Sequence, residues 1–291
     1  MTTSANATTW HDEPALHVVG GGLTAIVVPG RGGKIVSLRD GTGREWLAAP
    51  AAVLPPPARG TTSFVDAEMC GWDDCVPTVD ADVLDGVALP DHGEAWTTPW
   101  TTNDDDAWGY DGQVLPYRFA RGIAPTPTGL RLSYRAEAVG PTAIPFQWAA
   151  HPQFVAGPGA QLVLPAHVRH VDGIYGVDGR QPWTDELARV DRVVDGDALK
   201  FWVAPEAPAS WAGLRTADGA MLALSWDPVA VPYLALWVDA GMHSRERIVA
   251  LEPSTGACEA LSASRVGSRC AWLEPGRPLS WSVDLEVTRA T

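Results

Sequence analysis

The chain has 291 residues, and 21 lysines and arginines against 35 acidic residues leave a formal net charge of −14. With its basic residues scattered, it offers no stripe for a phosphate backbone, and its surface repels anionic lipid at long range. Nucleic acid and membrane are therefore excluded as partners, and a neutral small molecule fits best.

Hydrophobic residues at 46% and charged residues at 19% match the usage of a packed globular protein. The first residues carry no basic and apolar leader, and no run approaches the length that spans a bilayer, so a cytoplasmic location is expected. All-β sandwiches reach this size undivided, so a single domain over 1–291 is expected, as monomer or homodimer, with 1–14 a loose N-terminal tail. Cys70, Cys75, Cys258 and Cys270 are too few and too spread for a disulfide framework. The Cys70 and Cys75 pair has no further Cys or His beside it to complete a zinc site, so no metal is expected.

Taken in chain order, short apolar or alternating runs bounded by Gly, Pro, Asn or Asp recur, and long helical periodicity is scarce. Residues 23–28 and 34–39 predict an opening strand pair around a Gly-rich turn at 29–33. A surface loop is predicted at 51–60, with Pro55, Pro56 and Pro57, and another at 97–112, around the acidic run Asn103 to Asp106. Further strands are predicted at 130–138, 161–164, 221–226, 233–238, 248–251 and 280–287. Their even spacing points to an all-β sandwich. The 14 tryptophans outnumber five Phe and five Tyr, and an indole offers a flat apolar face with an N–H donor, the complement of a sugar ring. Most of them fill a β core; Trp72 and Trp96, set among polar residues, are the candidates for ligand contact.

Three clusters could carry chemistry. Residues 66–78 pack Asp66, Glu68, Asp73 and Asp74 around Gly71 and Trp72; buried together they would repel, so they need donors, water or ligand hydroxyls, or else form an exposed acidic loop. His92 stands between Asp91 and Glu94 on a Pro- and Gly-bounded turn, as a site residue or a surface histidine. His151 and Glu252 each end an apolar run, where burial shifts a pKa toward acid–base use. Each is equally readable as a hydrogen-bonded core histidine or a strand-end carboxylate.

The motifs together resemble the aldose 1-epimerase, or galactose mutarotase-like, family. The resemblance is carried by 32–40 with Gly43-Arg44-Glu45-Trp46, by Gly71-Trp72-Asp73-Asp74-Cys75-Val76-Pro77-Thr78, and by Asp91-His92-Gly93-Glu94. It continues through His151-Pro152, Leu251-Glu252-Pro253-Ser254-Thr255-Gly256 and Leu273-Glu274-Pro275-Gly276, in family order. It implies a β-supersandwich whose open cleft binds a monosaccharide without metal or cofactor. It implies His151 as general acid on the ring oxygen and Glu252 as base on the anomeric hydroxyl. His92 would hold sugar hydroxyls, with Trp72, Asp73, Asp74 and Glu94 at the cleft.

Two departures bear on the substrate. Pro-Gln-Phe follows His151, and no aspartate between His151 and Glu252 stands out as a substrate contact, Asp195 and Asp197 being the candidates. No basic cluster flanks the motifs, which disfavours a sugar phosphate unless Arg59 or Arg118 folds in. Two other functions use the same scaffold: a non-catalytic sugar-binding domain, and a glycan lyase or hydrolase pairing Glu252 with Asp73 or Asp74.

Overall fold

A computed structural model describes residues 5–50, 52, 54–58, 63–67, 69–102 and 107–289. Among these, one antiparallel sheet has twelve strands and a second has eight, with two small hairpin sheets beside them. The two large sheets pack face to face on one continuous apolar core that includes Ile35, Trp72, Phe154, Leu236 and Leu251 from the first and Leu132, Tyr134, Leu224, Trp281 and Val283 from the second. No described helix is long and apolar enough to cross a membrane.

Two kinds of strand follow from the sequence. Met221–Trp226 and Leu279–Thr288, in the eight-stranded sheet, alternate buried and half-exposed residues because one face meets the core and the other meets water. Ile248–Ser254 is buried at every position. It lies centrally in the large sheet, flanked by Tyr233–Asp239 and Ala149–Pro152. A central strand covered on both faces reads as an unbroken apolar run, and here its one ionisable residue is Glu252.

The predicted strands over 23–28, 130–138, 221–226, 233–238, 248–251 and 280–287 all form, with ends displaced by at most three residues. Residues 5–14 are not a loose tail, and residues 1–4 lie outside the described set. Ala5–Trp10 is an edge strand paired with Glu13–Gly20, from Ala5 opposite Val18 to Trp10 opposite Glu13. The Arg31 guanidinium lies 5.1 Å from the Trp10 ring centre and adds a cation–π contact.

The segment 97–112 is also more than a surface loop. Trp100 and Tyr110 are buried, and Thr101–Thr102 and Trp108–Asp111 pair at the edge of the second sheet. Apolar anchors on both sides of the acidic run pull its flanks inward; residues 103–106 themselves lie outside the described set. At 51–60 the described residues form no strand, and Arg59, like Glu68, lies outside the set.

Candidate functional site

Strand Trp72–Cys75 is buried throughout, and its period-2 alternation divides the acidic motif between two environments. Trp72 and Asp74 point between the sheets. Trp72 is 0% exposed and packs edge-on to Phe154. Asp74 accepts from Arg121 at 2.6 Å and from the Trp148 indole at 2.9 Å. Asp73 points to the opposite face, where it meets the Lys34 ammonium at 2.9 Å.

On that outer face the register assembles one row. Asp73 stands opposite His151. The neighbouring strand is joined through Ala149 opposite Ser254, and Phe154 opposite Val249 continues the same register, which puts His151 across from Glu252. Two residues far apart in sequence thus become lateral neighbours because the sheet is antiparallel.

His92 reaches the row from a turn. His92 and Gly93 both have left-handed φ, 55° and 71°. A Cβ on Gly93 would sit 2.0 Å from the Val76 carbonyl oxygen, so only glycine allows the chain to approach that closely. His92 Nδ1 lies 2.8 Å from Asp91 Oδ1, and its ring stacks on Phe64 at 4.1 Å. Its edge meets His151 with ring centres 5.0 Å apart. Carboxylate and aromatic contacts fix the ring, leaving Nε2 as the atom free to meet a ligand.

The third contributor is Lys200, from strand Ala198–Val203. Its ammonium lies 3.1 Å from Glu252 Oε2 and 2.7 Å from Glu259 Oε2, and Glu259 Oε1 accepts from the Trp202 indole at 3.0 Å. Although burial opposes its charge, Glu252 and Glu259 hold the lysine well above its ordinary range. Burial pushes the Glu252 carboxyl up, against the pull of Lys200. Burial, with the nearby charges of His92, Lys200 and Lys34, holds His151 well below the ordinary histidine range. His151 Nδ1 and Glu252 Oε1 are buried without a hydrogen-bond partner among the described residues.

These groups adjoin a cavity of about 320 Å³ walled by His92, His151, Lys200, Glu259, Tyr175 and Trp237. Glu252, 1% exposed, does not line the cavity itself but contacts Lys200, which does. A second cavity of about 230 Å³ shares Val65, Met69 and His243 with the first. His243 stacks on Trp237 and belongs to a loop clamped from below: buried Asp239 accepts four backbone N–H groups, from Gly241, Met242, His243 and Ser244, at 2.7–3.2 Å. No group of three His, Cys, Asp or Glu side chains is placed to hold a metal ion among the described residues.

Of the residues singled out in the sequence, His92, His151, Glu252 and Asp73 therefore share one face. Trp72 and Asp74 face the core instead. Glu94 is buried and accepts from the Gln113 amide at 2.9 Å and the Tyr117 hydroxyl at 2.8 Å, so it anchors a loop. Trp96 is buried behind Phe64 and donates to the Asp91 carbonyl. Asp195 is 94% exposed and paired with Arg247, away from the cavity, which Asp197 does not line either. Arg118 is exposed on the second sheet with Asp111 and Glu137.

Sequence reasoning missed Lys200, Glu259, Phe64, Tyr175 and Trp237. One signal was available: a single lysine inside the apolar run Ala198-Leu199-Lys200-Phe201-Trp202-Val203 is costly to bury without a partner.

No protein-family model and no curated protein sequence matches the chain. Solved structures do. The Slr1438 protein from Synechocystis sp. PCC 6803 is 18% identical with a TM-score of 0.72, covering 100% of this chain and 99% of its own. A galactose mutarotase-like protein from Clostridium acetobutylicum is 15% identical with a TM-score of 0.70, over 99% of both chains. Another from Lactobacillus casei ATCC 334 is 16% identical with a TM-score of 0.67, over 94% of this chain and 100% of its own. With TM-scores of 0.67–0.72 and near-complete mutual coverage, this chain has the galactose mutarotase-like fold.

Proposed function

We propose that the cavity binds a monosaccharide and interconverts its α and β anomers, with Glu252 as base and His151 as acid. One observation carries this reading: His151 and Glu252 face each other across adjacent strands beside a walled cavity, and each keeps one buried polar atom without a partner among the described residues. Buried polar atoms of a folded protein are almost always paired, and a ligand would complete these two. The cavity volume falls at the low end of the range for small-molecule sites, about 300–1,000 Å³.

The chemistry balances with these two groups alone. Glu252 takes the proton of the anomeric hydroxyl as the bond from C1 to the ring oxygen breaks, and the ring oxygen takes a proton from His151. The product is the open-chain aldehyde. Rotation about C1–C2 and the reverse transfers close the other anomer. Trp237 and Tyr175 offer flat faces for the C–H side of the ring, and His92 Nε2 offers an acceptor for a hydroxyl.

The reactive form needs Glu252 ionised and His151 protonated, yet burial opposes both. A bell-shaped pH–rate profile is therefore expected, its two apparent values belonging to the pair. The pairing of Glu252 with Lys200 also favours a second reading, a sugar-binding domain without catalysis. A two-carboxylate hydrolase loses one of its candidate pairs, because Asp74 faces Arg121 on the far side of the sheet.

Anomer exchange followed by NMR or polarimetry for a panel of aldoses tests the proposal against the buffer background. Acceleration that is lost in His151→Ala and Glu252→Gln supports it. Tight sugar binding in a calorimetric titration with no acceleration would leave the binding domain.

A further inference from the structure

The resemblance implies a substrate-contacting carboxylate between His151 and Glu252. Neither Asp195 nor Asp197 lines the cavity, and the charged residue of that interval that does is Lys200. Resting on the proposed function, we propose that Lys200 is a positioning residue for Glu252, holding that carboxylate in its ionised, oriented form.

The geometry is a chain of four groups: Trp202 Nε1 to Glu259 Oε1 at 3.0 Å, Glu259 Oε2 to Lys200 Nζ at 2.7 Å, and Lys200 Nζ to Glu252 Oε2 at 3.1 Å. Lys200 and Trp202 sit two residues apart on one strand, so both project to the same face and grip Glu259 together. Glu259 neutralises the ammonium and ties it down, and the ammonium fixes one oxygen of Glu252. The other oxygen, Oε1, keeps no partner among the described residues and is the one left for a substrate proton.

The charges around Glu252 show why the ammonium is needed. The strand of Ala149–Pro152 brings His151, and Trp72–Cys75 beyond it brings Asp73 and the Cys75 thiol, with Lys34 balancing Asp73. The turn brings His92, and Glu259 and Asp80 add two more carboxyls at the cavity wall. Of these groups, Lys200 is the cation in direct contact with Glu252. Being unable to accept a proton while charged, it cannot serve as the base itself.

The test measures the pH dependence of kcat/KM for Lys200→Met, Lys200→Arg and Glu259→Gln beside wild type, with carbon-13 NMR titration of the labelled Glu252 carboxyl. In Lys200→Met the acid limb and the Glu252 titration should both move up by about one pH unit or more, a tenfold or greater loss below the limb. Lys200→Arg should restore most of the wild-type profile, keeping a cation at the same place. Glu259→Gln should give an intermediate shift.

A Lys200→Met protein that folds, loses rate and keeps the wild-type limb and titration would overturn the positioning role alone. If the methionine variant does not fold, Glu259→Gln with an unmoved limb overturns it. Wild type that exchanges no anomers of any aldose overturns the functional reading, and the role of Lys200 in it, whatever the titration shows.

Discussion

The two faces of the central strands carry buried charge in opposite ways. Between the sheets, Asp74 is met by Arg121 and by the Trp148 indole, and Arg121 also donates to the Gly33 carbonyl. On the outer face, Lys200 joins Glu252 to Glu259 while Glu252 Oε1 and His151 Nδ1 have no partner among the described residues. Both arrangements are buried and ionic. Burial of charge therefore does not mark the site; incomplete satisfaction beside a cavity does.

Breaking each face should produce a different kind of loss. Glu252→Gln should lower turnover by about 10²- to 10⁴-fold, as expected for one positioned acid or base, with thermal stability and sugar affinity nearly unchanged. A wild-type rate would remove Glu252 from the mechanism. Arg121→Met should do the reverse. It strands the Asp74 carboxyl in the core and should cost about 3–5 kcal/mol of stability, read by urea unfolding, while each folded molecule keeps its rate. Unchanged stability would mean that Asp74 is held by something other than Arg121.

Smaller effects sharpen the contrast. Trp237→Ala should weaken sugar binding about two- to tenfold by calorimetry, the value of one aromatic contact, whereas Trp72→Phe should change stability and leave affinity alone. The pH dependence of stability comes next. His151 has a folded-state pKa below its unfolded one, so the unfolded chain binds more protons as pH falls below about 6.5, and stability should drop there. The drop should be shallower in His151→Gln, measured by thermal melting between pH 7.5 and pH 5.5. An identical slope in both proteins would show that other groups titrate.

Much of the strand ladder was legible because alternation and turn residues report it directly, as at Met221–Trp226. Strands with poor alternation escaped: Ala5–Trp10 looks like a polar tail until its partner Glu13–Gly20 is present. For the candidate site, the family-like motifs singled out His151 and Glu252, which the strand register sets side by side, but the division of Trp72, Asp73 and Asp74 between two faces was not legible. Adjacent strand residues take opposite faces, and which of them faces the core depends on the partner sheet. Glu94 misled for a similar reason, since a carboxylate in an acidic turn looks the same whether it meets ligand or backbone amides. The lone lysine in its apolar run marks Lys200 as needing a partner, but Glu259 meets it only through strand pairing and a returning loop, so no local pattern names that partner.

The clamp under the cavity rim has a consequence for how a ligand arrives. Asp239 gathers the four amides of the loop that presents His243, so that side of the mouth is held in place before anything binds. The entropy of ordering it is already spent in folding, and none of it is left to subtract from affinity. Association should then follow a single exponential whose rate rises in proportion to sugar concentration, without the plateau that a slow loop closure would impose.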